Sequence, residues 1–124
     1  MLGAKDATAT VAVKDLTVAK KFYEGSLGLK PLPNQEPEVL NYKSGSSTLL
    51  VYRSQFAGTN RATAVTWSVD NTEEEVRALK SKGVVFEHYD MPGATLKGDV
   101  HVMGAMKAAW FKDPDGNILA IVGR

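Results

Sequence analysis

The chain has 124 residues, and 15 Lys plus Arg against 14 Asp plus Glu leave a formal charge of +1, with 44% hydrophobic and 23% charged residues. That is the balance of an ordinary globular domain, and at this length a compact fold buries roughly two-thirds of the surface its unfolded chain exposes. Having no Cys excludes disulfide scaffolds, thiolate metal centres and cysteine nucleophiles. Lys and Arg are scattered among acids, so no nucleic-acid partner is expected. No run approaches the roughly 20 apolar residues of a membrane span, and no signal-like segment opens the chain, so no membrane partner and a cytoplasmic location are expected.

Alternation over Thr8 to Val13 predicts a half-buried strand. Lys14-Asp15-Leu16-Thr17 reads as a helix start. Asp15 or Thr17 can cap it, Leu16, Ala19, Tyr23 and Leu27 recur at helical spacing, and Gly28 suits the C-cap. Lys30 to Pro37, with three prolines, reads as a short irregular strand and turn. Val39 to Lys43 and Thr48 to Arg53 form a hairpin across Ser44-Gly45-Ser46-Ser47. Residues 55–61, with Gly58 and Asn60, read as a linker.

The pattern then starts again. Thr63 to Val69 alternates as a strand, and Thr72 with Glu75 forms a capping box for a helix carrying Val76 and Leu79 and closed by Gly83. Val84-Val85-Phe86 is the next strand. Lys107 to Lys112 pairs with Asn117 to Val122 across Asp113-Pro114-Asp115-Gly116, where Pro114 and Gly116 suit their turn positions. An offset of 56 takes Val13 to Val69 and Asp15 to Asn71, and 55 takes Gly28 to Gly83. The chain is therefore an internal repeat and a single domain: module 1 at about 6–54 and module 2 at about 62–124. Neither half is large enough to enclose a core alone. An α+β fold is expected, two βαβββ-type modules pairing into a half-open β-barrel with helices outside. A ferredoxin-like regulatory domain shares this rhythm.

The run Val11-Ala12-Val13-Lys14-Asp15, with Lys21-Phe22-Tyr23 and Leu27-Gly28-Leu29, resembles the opening of the vicinal oxygen chelate superfamily. Ala109 to Leu119, around Asp113-Pro114-Asp115-Gly116-Asn117, resembles its closing hairpin. The superfamily includes glyoxalase I, bleomycin-resistance proteins and extradiol dioxygenases, and the likeness spans nearly the whole chain. It implies a homodimer, side by side or with halves exchanged. In metal-using members it implies His or Glu ligands at positions that fall here on Thr8, Val51, Ala64 and Ala120. None supplies a usable donor, nor do the residues on either side of each, so neither a metal nor another cofactor is expected, and metal-assisted isomerase or dioxygenase chemistry is disfavoured.

Alternation also predicts what lines the cavity. If Val11, Val13, Val65, Trp67 and Val69 pack under the helices, then Thr8, Thr10, Ala12, Ala64, Thr66 and Ser68 face the other way. The same reading turns Leu49, Val51 and Arg53 inward, with Trp110, Lys112, Ala120 and Val122. Thr10, Arg53, Thr66, Ser68 and Trp110 are thus the candidate ligand-binding residues for a small organic molecule, with an acidic group facing Arg53. The plainer reading is that Thr and Ser merely tolerate a half-buried sheet face and Arg53 snorkels to solvent. His88 reads as an edge histidine. His101 falls in the Gly- and Met-rich stretch Met91 to Met106, read as a long loop or lid, and is the candidate catalytic residue. Three functions stay open: a metal-free protein that binds a small molecule in a sequestering or resistance role; a metal-independent isomerase or lyase in which His101, Tyr42 or Glu87 moves a proton; and a metabolite-sensing module.

Overall fold

The computed structural model describes residues 1–33 and 36–124, so the middle of the proline-rich turn expected at 30–37 lies outside the described residues. After a short 3-10 turn at Leu2–Ala4, the elements are β1 (Ala9–Val13), α1 (Leu16–Lys20), a π-helical continuation (Lys21–Ser26), β2 (Lys30–Pro31), β3 (Val39–Ser44) and β4 (Ser47–Arg53). Then come β5 (Thr63–Ser68), α2 (Thr72–Ser81), β6 (Phe86–Glu87), β7 (Thr95–Lys97), β8 (Val100–Met103), β9 (Met106–Lys112) and β10 (Ile118–Gly123).

Two sheets result, ordered β1-β4-β3-β2 and β5-β10-β9-β8-β7, with β6 also paired to β9. In each, the first strand lies parallel to the last, β1 with β4 and β5 with β10, and the remaining pairs are antiparallel. The repeat extends to the helix ends. Asp15 caps α1 by accepting from the backbone N–H groups of Thr17 and Val18, and Asn71, its equivalent 56 residues on, caps α2 by accepting from Glu74. Gly28 and Gly83 follow the two helices with positive φ. The expected Thr72–Glu75 capping box does not form. Asn71 takes the cap position, and Thr72 becomes the first helical residue, fully buried.

One hydrophobic core joins the helix-covered faces of both sheets: Val11, Val13, Tyr42, Leu49 and Val51 from the first, Ala109, Phe111, Leu119 and Ile121 from the second. The π-helical turn is the bridge between them. Its i to i+5 spacing, closed by the Leu27 N–H donating to Phe22 O, leaves Tyr23 stacked on Tyr42 of the first sheet while Phe22 meets Phe111 of the second. The edge strands β1 and β5 run close together, and the Asn117 amide donates to Ala12 O across that junction. With the helix faces merged into one core, the opposite faces of both sheets turn away from it and stay open. The arrangement is half-open, without a closed barrel.

Two expectations are corrected here. Leu49 and Val51 do not face the open side. β4 pairs with β1 so that Val51 lies opposite Val11, neighbours in register point the same way, and both side chains are buried in the core. The open face of β4 carries Leu50 and Tyr52. The stretch Met91 to Met106 is not a structureless lid, since most of it is the β7–β8 hairpin, with His101 fixed on β8.

Candidate ligand-binding site

Strand pairing assembles two rows of side chains on the open face of the second sheet. Thr66, Ala120, Trp110 and Glu87 lie in register across β5, β10, β9 and β6; Ser68, Val122, Ala108, His101 and Leu96 form the next row across β5, β10, β9, β8 and β7. The residues between the rings in these rows, Ala108 and Ala120, are small and buried. Trp110 is half-buried, and its indole N–H donates to Thr63 Oγ1 at 3.2 Å, which orients the ring. His101 stands edge-on to Trp110 with ring centres 5.0 Å apart and stacks near Tyr89 at 6.2 Å. A hollow of about 380 Å³ lies against this cluster, lined by His88, Tyr89, Met91, Leu96 and His101 among others.

The hydrogen bonds define the state of His101. The Tyr89 backbone N–H donates to His101 Nε2 at 2.9 Å, so Nε2 is the acceptor of a neutral imidazole whose hydrogen sits on Nδ1. His101 is only 1% exposed, and both its Nδ1 and the Tyr89 hydroxyl are buried without a protein partner. A buried polar group left unpaired costs roughly 1–3 kcal/mol, so two in one cluster mark a place that gains from a polar guest. Outside the cluster, exposed His88 contacts Asp99 at 2.7 Å, and Lys80 of α2 donates to the same carboxylate at 2.8 Å. The Lys80 hydrogen bond first, then that from His88, holds the Asp99 carboxyl below its usual range. These contacts tie His88 and the β7–β8 turn to α2. Glu87 is paired with Lys112 at 3.3 Å.

Of the sequence candidates, Thr66, Ser68, Trp110 and His101 come together on this face, and Thr10 lies on the open face of the first sheet, opposite Leu50. Arg53 does not join them. It ends β4 opposite Val13 and binds Glu38 at 2.6 Å, both side chains well exposed, so its guanidinium is engaged at the rim. Tyr42 is buried in the core with its hydroxyl donating to Glu24 at 2.9 Å; burial, then that hydrogen bond, pushes its ionisation well up, which removes it as a proton carrier for the open face. Tyr89 is the residue sequence reasoning missed. It follows a two-residue strand, where alternation stops reporting direction, and the only sequence signal was its place beside His88.

The metal-ligand positions can be placed on the same register. The open-face residues of the paired first and last strands are Thr10 with Leu50 and Thr66 with Ala120, flanked by Tyr52 and Ala64. Hydroxyls and alkyl groups do not match the imidazole or carboxylate donors a divalent ion needs. Among the described residues, no three His, Asp or Glu are grouped to hold one. A family metal therefore does not fit this face. Among the same residues, no helix is long and apolar enough to cross a membrane.

A family model described as Glyoxalase/Bleomycin resistance protein/Dioxygenase superfamily matches residues 7–121. No curated protein matches the chain. Among solved structures, the chain is similar to a glyoxalase family protein from Enterococcus faecalis, with TM-score 0.73 and 22% identity over 98% of this chain and 99% of that one. It is similar to a lactoylglutathione lyase from Agrobacterium tumefaciens, with TM-score 0.70 and 15% identity over 97% and 93% of the two chains. A third is TnmS3, an antibiotic binding protein from Streptomyces sp. CB03234, with TM-score 0.65 and 19% identity over 95% of each chain. At these identities the structures establish the fold, and the family match over almost the whole length establishes that the chain belongs to the glyoxalase/bleomycin resistance protein/dioxygenase superfamily.

Proposed function

We propose that the protein binds a small, uncharged organic molecule on the open face of its second sheet, without a metal, in a sequestering or resistance role. The observation that carries this reading is the Trp110–His101–Tyr89 cluster, with its two unpaired buried polar atoms facing no protein acceptor or donor. Flat rings offer stacking, Thr66 and Ser68 offer hydroxyls, and the nearby charges of Glu87 and Asp99 are already paired with Lys112 and Lys80. That one solved relative is described as an antibiotic binding protein fits the same use of the fold. The open faces of both sheets leave Tyr52 and Leu96 exposed, which supports a homodimer that covers them.

The test uses a Trp67→Phe variant, leaving Trp110 as the only indole, titrated with chromone. Saturable quenching that is lost in a further His101→Ala change is expected. Linear, unsaturable quenching with chromone contradicts the reading. A metal-independent isomerase or lyase is the second reading, favoured by the buried neutral imidazole of His101. Its Nε2 lone pair is occupied by Tyr89 N–H, so only proton donation from Nδ1 is open to it. Turnover of a bound carbonyl compound, followed by proton NMR and abolished in His101→Gln with binding retained, would favour that reading over simple sequestration.

A further inference from the structure

The two histidines of the chain line one hollow, and their partners fix them in opposite tautomers. His101, on β8, accepts the Tyr89 backbone N–H at Nε2, so its hydrogen is on Nδ1, and that nitrogen has no protein partner. His88, just past β6, meets Asp99 Oδ1 through Nε2 at 2.7 Å. A carboxylate only accepts, and Lys80, donating to the other oxygen at 2.8 Å, helps keep Asp99 ionised. The hydrogen of a neutral His88 is therefore on Nε2 and its lone pair on Nδ1. Exposure divides the rings in the same sense. The His88 side chain is 49% exposed and can return a proton to water, whereas His101, 1% exposed, is shut off from it. Their ring centres lie 6.5 Å apart with the planes at 70°. Hydrogen-bond reach of about 3 Å from each free nitrogen leaves room between them for one carbonyl group and its neighbouring carbon.

We propose that His88 and His101 are the base and the acid of a proton shift next to the carbonyl of an uncharged ketone or aldehyde, with Asp99 positioning His88. The proposal rests on this sheet face holding an uncharged organic molecule, and it supplies the base that His101, with its Nε2 occupied, cannot be. Nδ1 of His88 takes a proton from the α-carbon. The electron pair of the broken C–H bond forms a C=C bond, and the carbonyl pair moves onto oxygen, where the His101 Nδ1–H donates to it. Return of a solvent proton through His88 to the same carbon gives exchange, and its return to a conjugated carbon gives an isomer. No electron is gained or lost overall, so no oxidant or reductant is needed. Asp90, the carboxylate lining the same hollow, has no ion pair among the described residues. Its charge disfavours an anionic substrate and favours the imidazolium formed on His88.

The probe is 2-indanone, added to full-length protein carrying Trp67→Phe, in which Trp110 is the sole indole and reports binding. At about pD 8, above the ordinary imidazole range, proton NMR in D2O follows the loss of its α-hydrogens. Saturable Trp110 quenching is expected, with exchange at least about a hundredfold faster than with the same concentration of free imidazole. His88→Gln keeps an amide to hydrogen-bond Asp99 but has no basic nitrogen, so binding should stay within about twofold while exchange falls to background. Long-range ¹⁵N–¹H NMR, with only two histidines to assign, should show His88 protonated on Nε2 and His101 on Nδ1. In Asp99→Ala the His88 signals move towards a mixture of tautomers, and exchange slows with binding retained. No saturable Trp110 response overturns the binding reading together with this one. Saturable binding with exchange no faster than imidazole, exchange untouched by His88→Gln, or His88 found with its hydrogen on Nδ1 overturns this inference alone.

Discussion

The Asp113 carboxylate is the residue on which the two halves converge. It accepts from the Tyr23 hydroxyl at 2.7 Å, from the backbone N–H groups of Asn117 and Asp115 at 2.9 and 3.0 Å, and from the Asn117 amide at 2.8 Å. The Asp-Pro-Asp-Gly-Asn turn is thus more than a good hairpin: its first and last residues join β1, the π-helical turn and β9–β10. Replacing Tyr23 with Phe removes one donor from a buried carboxylate and is expected to cost about 1–3 kcal/mol, read as a lower urea midpoint at pH 7. Burial, then the Asp113 charge, raises the ionisation of Tyr23 far above the ordinary value of 10.0. A group whose folded value is raised contributes stability in full below its unfolded value and loses it as pH climbs beyond. The parent should therefore lose stability more steeply than Tyr23→Phe above about pH 10. Equal slopes for the two proteins would contradict this assignment. Gly58 is the second such residue. It has φ 74, and a Cβ there would collide with the Asp115 carbonyl. Gly58→Ala should destabilise by more than about 1 kcal/mol in the same urea assay.

At the scale of elements, the helix ends separate what the sequence shows from what it hides. Asp15 and Asn71 both cap, as their shared place in the repeat implies, but Thr72–Glu75 also fits a capping-box pattern, and the pattern alone cannot decide which residue stands outside the helix. Packing decides it. With Asn71 as cap, Thr72 is buried against Gly123, where its hydroxyl has no partner. Asn71→Ala should therefore cost about 1 kcal/mol, while Thr72→Val, which replaces an unpaired hydroxyl with a methyl of similar size, should be neutral or stabilising. Thermal melts of the two variants check the pair, and a large loss in Thr72→Val together with none in Asn71→Ala would restore the capping box. Strand direction was equally uneven in its legibility. β1 and β5 read correctly from alternation, because each has its large apolar residues on one face only, and β9 read correctly once Phe111 was assigned to the helix side. β4 is Leu49-Leu50-Val51-Tyr52, apolar on both faces, so its direction is set by pairing with β1 rather than by its own pattern. That is why Val51 was turned the wrong way and why the open-face neighbours Leu50 and Tyr52 were overlooked.

For the whole molecule, the fold was legible because the same strand–helix–strands pattern occurs twice, with its cap and its closing glycine at matching offsets. The candidate face was legible only in part. Trp110, Thr66 and Ser68 follow from alternation on long strands, whereas the meeting of His101 with Tyr89 depends on a short hairpin whose sequence reads as loop. Arg53 was turned toward the site by the same reading of β4 that misplaced Val51; it lies opposite Val13 on the other side of the strand and pairs with Glu38 at the rim. The central claim is that this chain uses the superfamily's fold to hold an organic molecule on an aromatic, metal-free face. Native mass spectrometry of protein purified gently without chelator tests it most directly. A mass of two chains is predicted, without a stoichiometric metal increment. Up to one organic adduct per chain is also predicted, formed with the parent and lost in a Trp110→Ala/His101→Ala variant. One divalent ion retained per chain, or an adduct indifferent to those two substitutions, would contradict the account.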